Sequence, residues 1–178
     1  MWENNYTNTI LNVMIDYNGN DVKRINHTLK VYAFAQNIGK EENCDARTQT
    51  IIEYAAILHD IGLRKAEEIY SSGILKYHEE IAPKVAKELI GGMAIDSEIK
   101  ERVYFLIGNH HSYKKIDGLD FQILVESDLI VNMYEDDYSP EAITAAKKQI
   151  FKTKTGKNLL DSMYLKKENE QRIISDLP

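Results

Sequence analysis

The residues able to do chemistry here are five histidines, His27, His59, His78, His110 and His111, together with two carboxylates in unusual places. His59 runs directly into Asp60, and the doublet closes an apolar stretch that includes Ile51, Ile52, Ala55 and Leu58. Asp128 lies on an apolar stripe between Leu124 and Val131. A carboxylate in such a setting is expensive unless it is paired or binds a metal. His27 shares a helical face with Val31 and Phe34. Any one of these histidines alone reads as a satisfied core or surface residue, but the set asks for common partners. Imidazole and carboxylate together suit Fe, Mn, Zn or Ni, and the coordination positions they leave open suit hydrolysis.

The elements that must position these groups read as helices throughout, and no segment alternates with period two. Tyr6 to Tyr17 is a short amphipathic helix, followed by a turn at Asn18-Gly19-Asn20-Asp21. Asn20 or Asp21 caps a second helix expected to end at Gly39, and Asp45 caps a third through Leu58. Leu63 to Lys76, with Ser71-Ser72-Gly73, reads as irregular. A helix from about Tyr77 to Ile90 follows, regular only from near Ala82 because of Pro83. Asp96 or Ser97 caps the next helix, and Lys114 to Gly118 is a loop. Phe121 to about Tyr134 carries Asp128. Ser139-Pro140-Glu141 starts a helix to about Phe151, and a last one covers roughly Lys157 to Tyr164. The expected architecture is an all-α bundle of about eight helices in a single domain, with a metal-binding core over about 20–137 and C-terminal helices over 139–170.

The order His27, then Leu58-His59-Asp60-Ile61-Gly62, then Asp128 resembles the HD-domain phosphohydrolase superfamily, an all-helical family named for its His-Asp doublet. The resemblance covers roughly Asn20 to Asp137. It implies a metal site of His27, His59, Asp60 and Asp128. His78 and the pair His110-His111 resemble the extra histidines of a subset that holds two metals. By that likeness Asp60 bridges the ions, and His78 with His110 or His111 completes the second site. Asp60 and His59 are then the catalytic pair, and the cofactor is a divalent transition metal (Fe, Mn, Ni, Co or Zn), expected as two ions.

The activity so implied is a metal-dependent phosphohydrolase of phosphomonoesterase or phosphodiesterase type, working through a metal-bound hydroxide. Its substrate would be a nucleotide or another small phosphorylated metabolite, with Arg64, Lys65, Lys114 and Lys115 as the expected phosphate contacts. The chain departs from the family in lacking a Gly-Tyr-Pro after His-His, reading His111-Ser112-Tyr113-Lys114-Lys115 instead, which removes the reason to name a cyclic dinucleotide. Leu63 also follows Gly62 where many relatives place Lys. Two other classes share the ligand plan: a di-iron oxygenase, and a non-catalytic nucleotide sensor. The segment Thr153-Lys154-Thr155-Gly156-Lys157 brushes against a phosphate-loop pattern, but Phe151 stands where the earlier Gly is needed.

The bulk composition is compatible with this reading. The 178 residues include only nine Gly and three Pro, which favours long helices over a turn-rich sheet fold. The single cysteine, Cys44, excludes a cysteine-based zinc site within one chain. A net charge of −6 argues against nucleic-acid duplex as a partner. Met1 to Asn8 lacks a basic-then-apolar leader and no run is long enough for a bilayer, so a cytoplasmic protein is expected. A homodimer is left open.

Overall fold

A computed structural model describes residues 6–70 and 74–165. Among them nine α-helices follow in chain order with no strand. They are α1 (Thr7–Asn18), α2 (Val22–Glu41), α3 (Ala46–Leu58), α4 (Leu63–Ile69), α5 (Ile74–Ile90), α6 (Ser97–Ile107), α7 (Leu119–Glu135), α8 (Pro140–Gln149) and α9 (Lys154–Leu160). A 3-10 turn at Tyr113–Lys115 precedes α7, and a π turn at Asp161–Leu165 follows α9. The all-α expectation holds. Among the described residues no helix is long and apolar enough to cross a membrane.

Two helices form the centre. Every residue of α3 from Ile51 to Leu58 is buried, and so is every residue of α7 from Asp120 to Val131. Helices apolar on all sides belong inside a bundle. Accordingly α2 lies across both, α1 and α6 cover α3, and α5 joins α6 to α4. The helix starts are where the sequence puts polar caps. Asp21 accepts from Arg24 N at 2.9 Å, Asp45 from Thr48 N at 2.9 Å, and Asp96 from Glu98 N and Ile99 N. Ser139 and Thr153 cap α8 and α9 in the same way. Each such cap contributes about 1 kcal/mol by satisfying an otherwise unpaired amide.

Three local expectations need correction. Gly39 does not end α2; it sits inside it, because a Cβ there would come within 2.3 Å of Gln49 Oε1 on α3. That glycine serves close helix approach, and the chain instead turns at Asn43, at φ 58°. The stretch after Gly62 is helical, forming α4, which raises the helix count to nine. Helix α5 runs from Ile74, not only from near Ala82, with Pro83 inside it: Ile81, Ala82, Val85 and Ala86 are all buried there, and that burial outweighs one lost hydrogen bond. The expected Ser71-Ser72-Gly73 break and residues 166–170 of the last helices lie outside the described residues.

The phosphate-loop look-alike has a structural role. Fully buried Glu126 on α7 accepts from Lys152 N at 2.6 Å, Thr153 N at 2.9 Å and the Thr153 hydroxyl. Glu42 on α2 accepts from Thr155 N at 2.7 Å. Two carboxylates thus dock the start of α9 onto the helices that carry His27 and Asp128.

Gly62, in the turn between α3 and α4 just past the doublet, is where α5 packs closest to that turn. A Cβ there would lie 2.4 Å from His78 O and 2.7 Å from Ala82 N. Both are backbone atoms and cannot swing aside, so the glycine lets the turn carrying His78 reach Asp60. Gly62→Ala is expected to destabilise the fold by about 1–3 kcal/mol through overpacking, read as a lower urea midpoint with unchanged slope.

Candidate metal centre

The histidines are aimed by the ends of helices. His59 and His110 each follow the last turn of a helix, the buried end of α3 and the half-buried α6, where the final carbonyls have no intrahelical partner. Each ring turns back by three residues to use one of them. His59 Nδ1 donates to Ala56 O at 2.8 Å, and His110 Nδ1 donates to Ile107 O at 2.9 Å. His27, in the middle of α2, has no free carbonyl nearby; its Nδ1 lies 2.8 Å from Glu135 Oε2 on α7. An imidazole that donates through Nδ1 keeps its lone pair on Nε2, which is the state a metal requires.

Those Nε2 atoms converge on two carboxylates. His27 Nε2 and His59 Nε2 are 3.2 Å apart. Asp128 Oδ1 lies 3.4 Å from the first and 3.7 Å from the second. Asp60 divides its two oxygens. Oδ2 faces His27 at 3.6 Å and His59 at 3.4 Å, while Oδ1 faces His78 at 3.7 Å and His110 at 3.6 Å. Ligands each about 2.1 Å from one ion at tetrahedral angles stand about 3.4 Å apart, so these separations fit an ion on each side of Asp60. Sequence order alone could not divide the two oxygens between two histidine pairs.

Of the adjacent pair, His110 is the one aimed at Asp60. Its Nε2 is buried with no atom within hydrogen-bond distance among the described residues, and Asp60 Oδ1 stands 3.6 Å away, as two ligands of one ion would. His111 belongs to the same cluster of potential ligands but has one edge open to solvent, and its backbone N donates to Glu79 Oε1 at 2.9 Å.

Charge in the cluster is unbalanced without a cation. Burial alone would push His59 down, but the charge of Asp60, its hydrogen bond and Asp128 together hold the ring up at about 9. Burial would likewise raise Asp60, and His59 and His110 instead hold it well below the usual carboxylate range. Asp128 is lowered against its burial by His27 and His59. Converging carboxylates therefore draw in protons where a metal would otherwise supply the positive charge. His111 goes the other way, pushed down to about 4 by burial and by His110.

A cavity of about 380 Å³ opens over Asp60, Asp128, His78 and His111. Its outer wall comprises Leu63, Leu129, Tyr113, Tyr138, Asn132 and Asp136. The four cations expected to bind phosphate are not part of that wall. Arg64 donates to Tyr17 O and lies 3.6 Å from Glu68, Lys65 pairs with Glu68 at 3.0 Å, and Lys115 donates to Asn109 Oδ1 at 2.6 Å. Lys114 is exposed on the 3-10 turn. Arg64 and Glu68 face each other because α4 is helical, which places them one turn apart. Two residues escaped the sequence reading, and both lie on the Asp128 face of α7. Asn132, four residues on, donates to Asp128 Oδ1 at 2.9 Å; Glu135, seven residues on, holds His27. The i, i+4, i+7 spacing from Asp128 was their one signal.

Comparison with known proteins agrees with this geometry. The HD domain family model matches residues 24–148, a span that contains every residue of the cluster. Among solved structures, a predicted HD superfamily hydrolase from an uncultured Thermotogales bacterium is similar at 25% identity. That match covers 89% of this chain and 85% of the other, with a TM-score of 0.65. No curated protein matches the sequence.

Chelation of the metal-loaded protein is expected to lower Tm, because ligand lone pairs lose the cation that stabilises their convergence. The loss should be larger at about pH 10 than at about pH 7. The folded pKa of His59, about 9, lies above its ordinary 6.5. Protonated His59 therefore supports the metal-free fold fully below 6.5, and that support disappears as pH rises through about 9. Differential scanning calorimetry with and without chelator across this range checks both signs.

Proposed function

This chain belongs to the HD-domain family, and from that membership we propose that it is a metal-dependent phosphohydrolase acting on a small phosphorylated metabolite, such as a nucleotide. The observation that carries the reading is the division of Asp60. One carboxylate turns one oxygen to His27 and His59 and the other to His78 and His110, on the floor of an open cavity. In this reading His27, His59, Asp60 and Asp128 hold one ion, and Asp60, His78 and His110 hold the second, with His111 beside it. Two divalent ions held so would acidify a shared water and neutralise the oxygens of a phosphoryl group.

The chain's own residues then do the positioning. Asp60, in the turn just past α3, would help orient the attacking water. Asn132 holds the Asp128 carboxylate in one orientation. Tyr113, whose phenol is pushed up to about 12 by burial and by Asp128, stays a donor throughout the physiological range. Such a donor at the cavity wall suits a phosphoryl or leaving-group oxygen. Leu63 and Leu129 add apolar wall beside these polar groups. With Arg64, Lys65 and Lys115 engaged by other partners, phosphate recognition would fall to the metal side of the cavity and to neutral donors. A cavity of about 380 Å³ suits a metabolite rather than a polymer.

Protein loaded with Mn, Co, Ni or Fe is expected to release inorganic phosphate from p-nitrophenyl phosphate or from members of a nucleotide and sugar-phosphate panel. Asp60→Asn should lower kcat/KM by at least about 10²-fold and reduce bound metal. Silence of the wild type across the panel with metal demonstrably bound would contradict the reading.

A further inference from the structure

The histidines of the cluster are not anchored alike, and the difference separates the two sides of Asp60. His59 and His110 lean on backbone carbonyls of their own helices, Ala56 O and Ile107 O, which no side-chain substitution removes. His27 leans on a side chain from another helix, Glu135 of α7. Glu135 is largely buried, with 15% of its side chain exposed, and its other oxygen is taken by Lys30. Lys30 follows His27 by three residues and Glu135 follows Asp128 by seven, so each pair shares one helix face. Helix α2 therefore presents His27 and Lys30 to α7, which answers with Asp128 and Glu135.

Resting on the metal-centre reading above, we propose that Glu135 is a positioning residue that fixes the His27 tautomer and thereby controls metal affinity on the His27–His59–Asp128 side alone. The chemistry is that of one proton. With Glu135 accepting from Nδ1–H, the His27 lone pair stays on Nε2, 3.2 Å from His59 Nε2. Without that acceptor the neutral ring is free to carry its proton on Nε2, which removes a ligand and places an N–H where an ion would sit. On the other side of Asp60 the His110 tautomer is held by Ile107 O and is indifferent to Glu135. Lys30 pairs with the carboxylate and keeps Glu135 from standing as an uncompensated buried charge beside the site.

The test uses the full chain as wild type, Glu135→Ala and Glu135→Gln. Mn(II) titration with chelator competition reads the affinities, and nitrogen NMR of the imidazoles in the metal-free protein, at a pH where the His27 ring is neutral, reads the tautomers. Wild type should bind two Mn(II), and Glu135→Ala should weaken one of them by about 10–100-fold while leaving the other unchanged. Glu135→Gln keeps an acceptor oxygen and should recover most of the loss; it also serves if the alanine variant fails to fold. The His27 ring should carry its proton on Nδ1 in the wild type and lose that preference in Glu135→Ala. Two affinities within about twofold of wild type, or both weakened equally, would overturn the assignment. So would an unchanged His27 tautomer. Wild-type protein that takes up no metal would instead overturn the metal-centre reading, with the His27 tautomer in the metal-free protein still deciding the role of Glu135.

Discussion

A buried point at which only lone pairs and carboxylate oxygens meet is unstable unless something positive occupies it. In this chain that point is Asp60, with four imidazole nitrogens within 3.7 Å of its two oxygens. Desolvation penalises every charge in the cluster, and mutual attraction between rings and carboxylates outweighs it only while a ring carries a proton. The high affinity of His59 for a proton is one expression of this imbalance, and the unpartnered Nε2 of His110 is another. A cation held among these groups would resolve both, so the arrangement suits a metal centre better than a satisfied polar core.

The rest of the fold serves that convergence. The buried stretches of α3, Ile51–Leu58, and of α7, Asp120–Val131, deliver the doublet and Asp128 to one point. The unpaired carbonyls that every helix end must dispose of are put to use in orienting His59 and His110. Gly62 lets α5 come close enough for His78 to face Asp60. Farther out, Glu126 and Glu42 fasten α9 to α7 and α2, so the C-terminal helices brace the metal-bearing core.

Much of this was legible in the sequence, for physical reasons. Helical periodicity and caps such as Asp45 and Ser139 report local energetics, and the all-α class follows from them. The histidines and Asp128 stand out because polar groups on apolar stripes demand partners, and the fold does gather His27, His59, Asp60, His78, His110 and Asp128 around one point. What local chemistry could not show was direction across elements. Arg64 and Lys65 sit beside the doublet in sequence, yet the helical geometry of α4 turns them to Tyr17 and Glu68. Gly39 reads as a helix end until Gln49 of α3 is seen against it. Glu135 lies in an acidic run with Asp136 and Asp137, and only the approach of α2 distinguishes it.

What binds at Asp60 determines the chemistry of this protein. A crystal of the metal-loaded protein measured on both sides of the absorption edge of the added ion would decide it. Two anomalous peaks are predicted, one near each Asp60 oxygen, the first within ligand distance of His27, His59 and Asp128 and the second within ligand distance of His78 and His110. A single peak with His78 and His110 out of its reach would contradict the bridging role of Asp60, and no peak at all would contradict the metal centre itself.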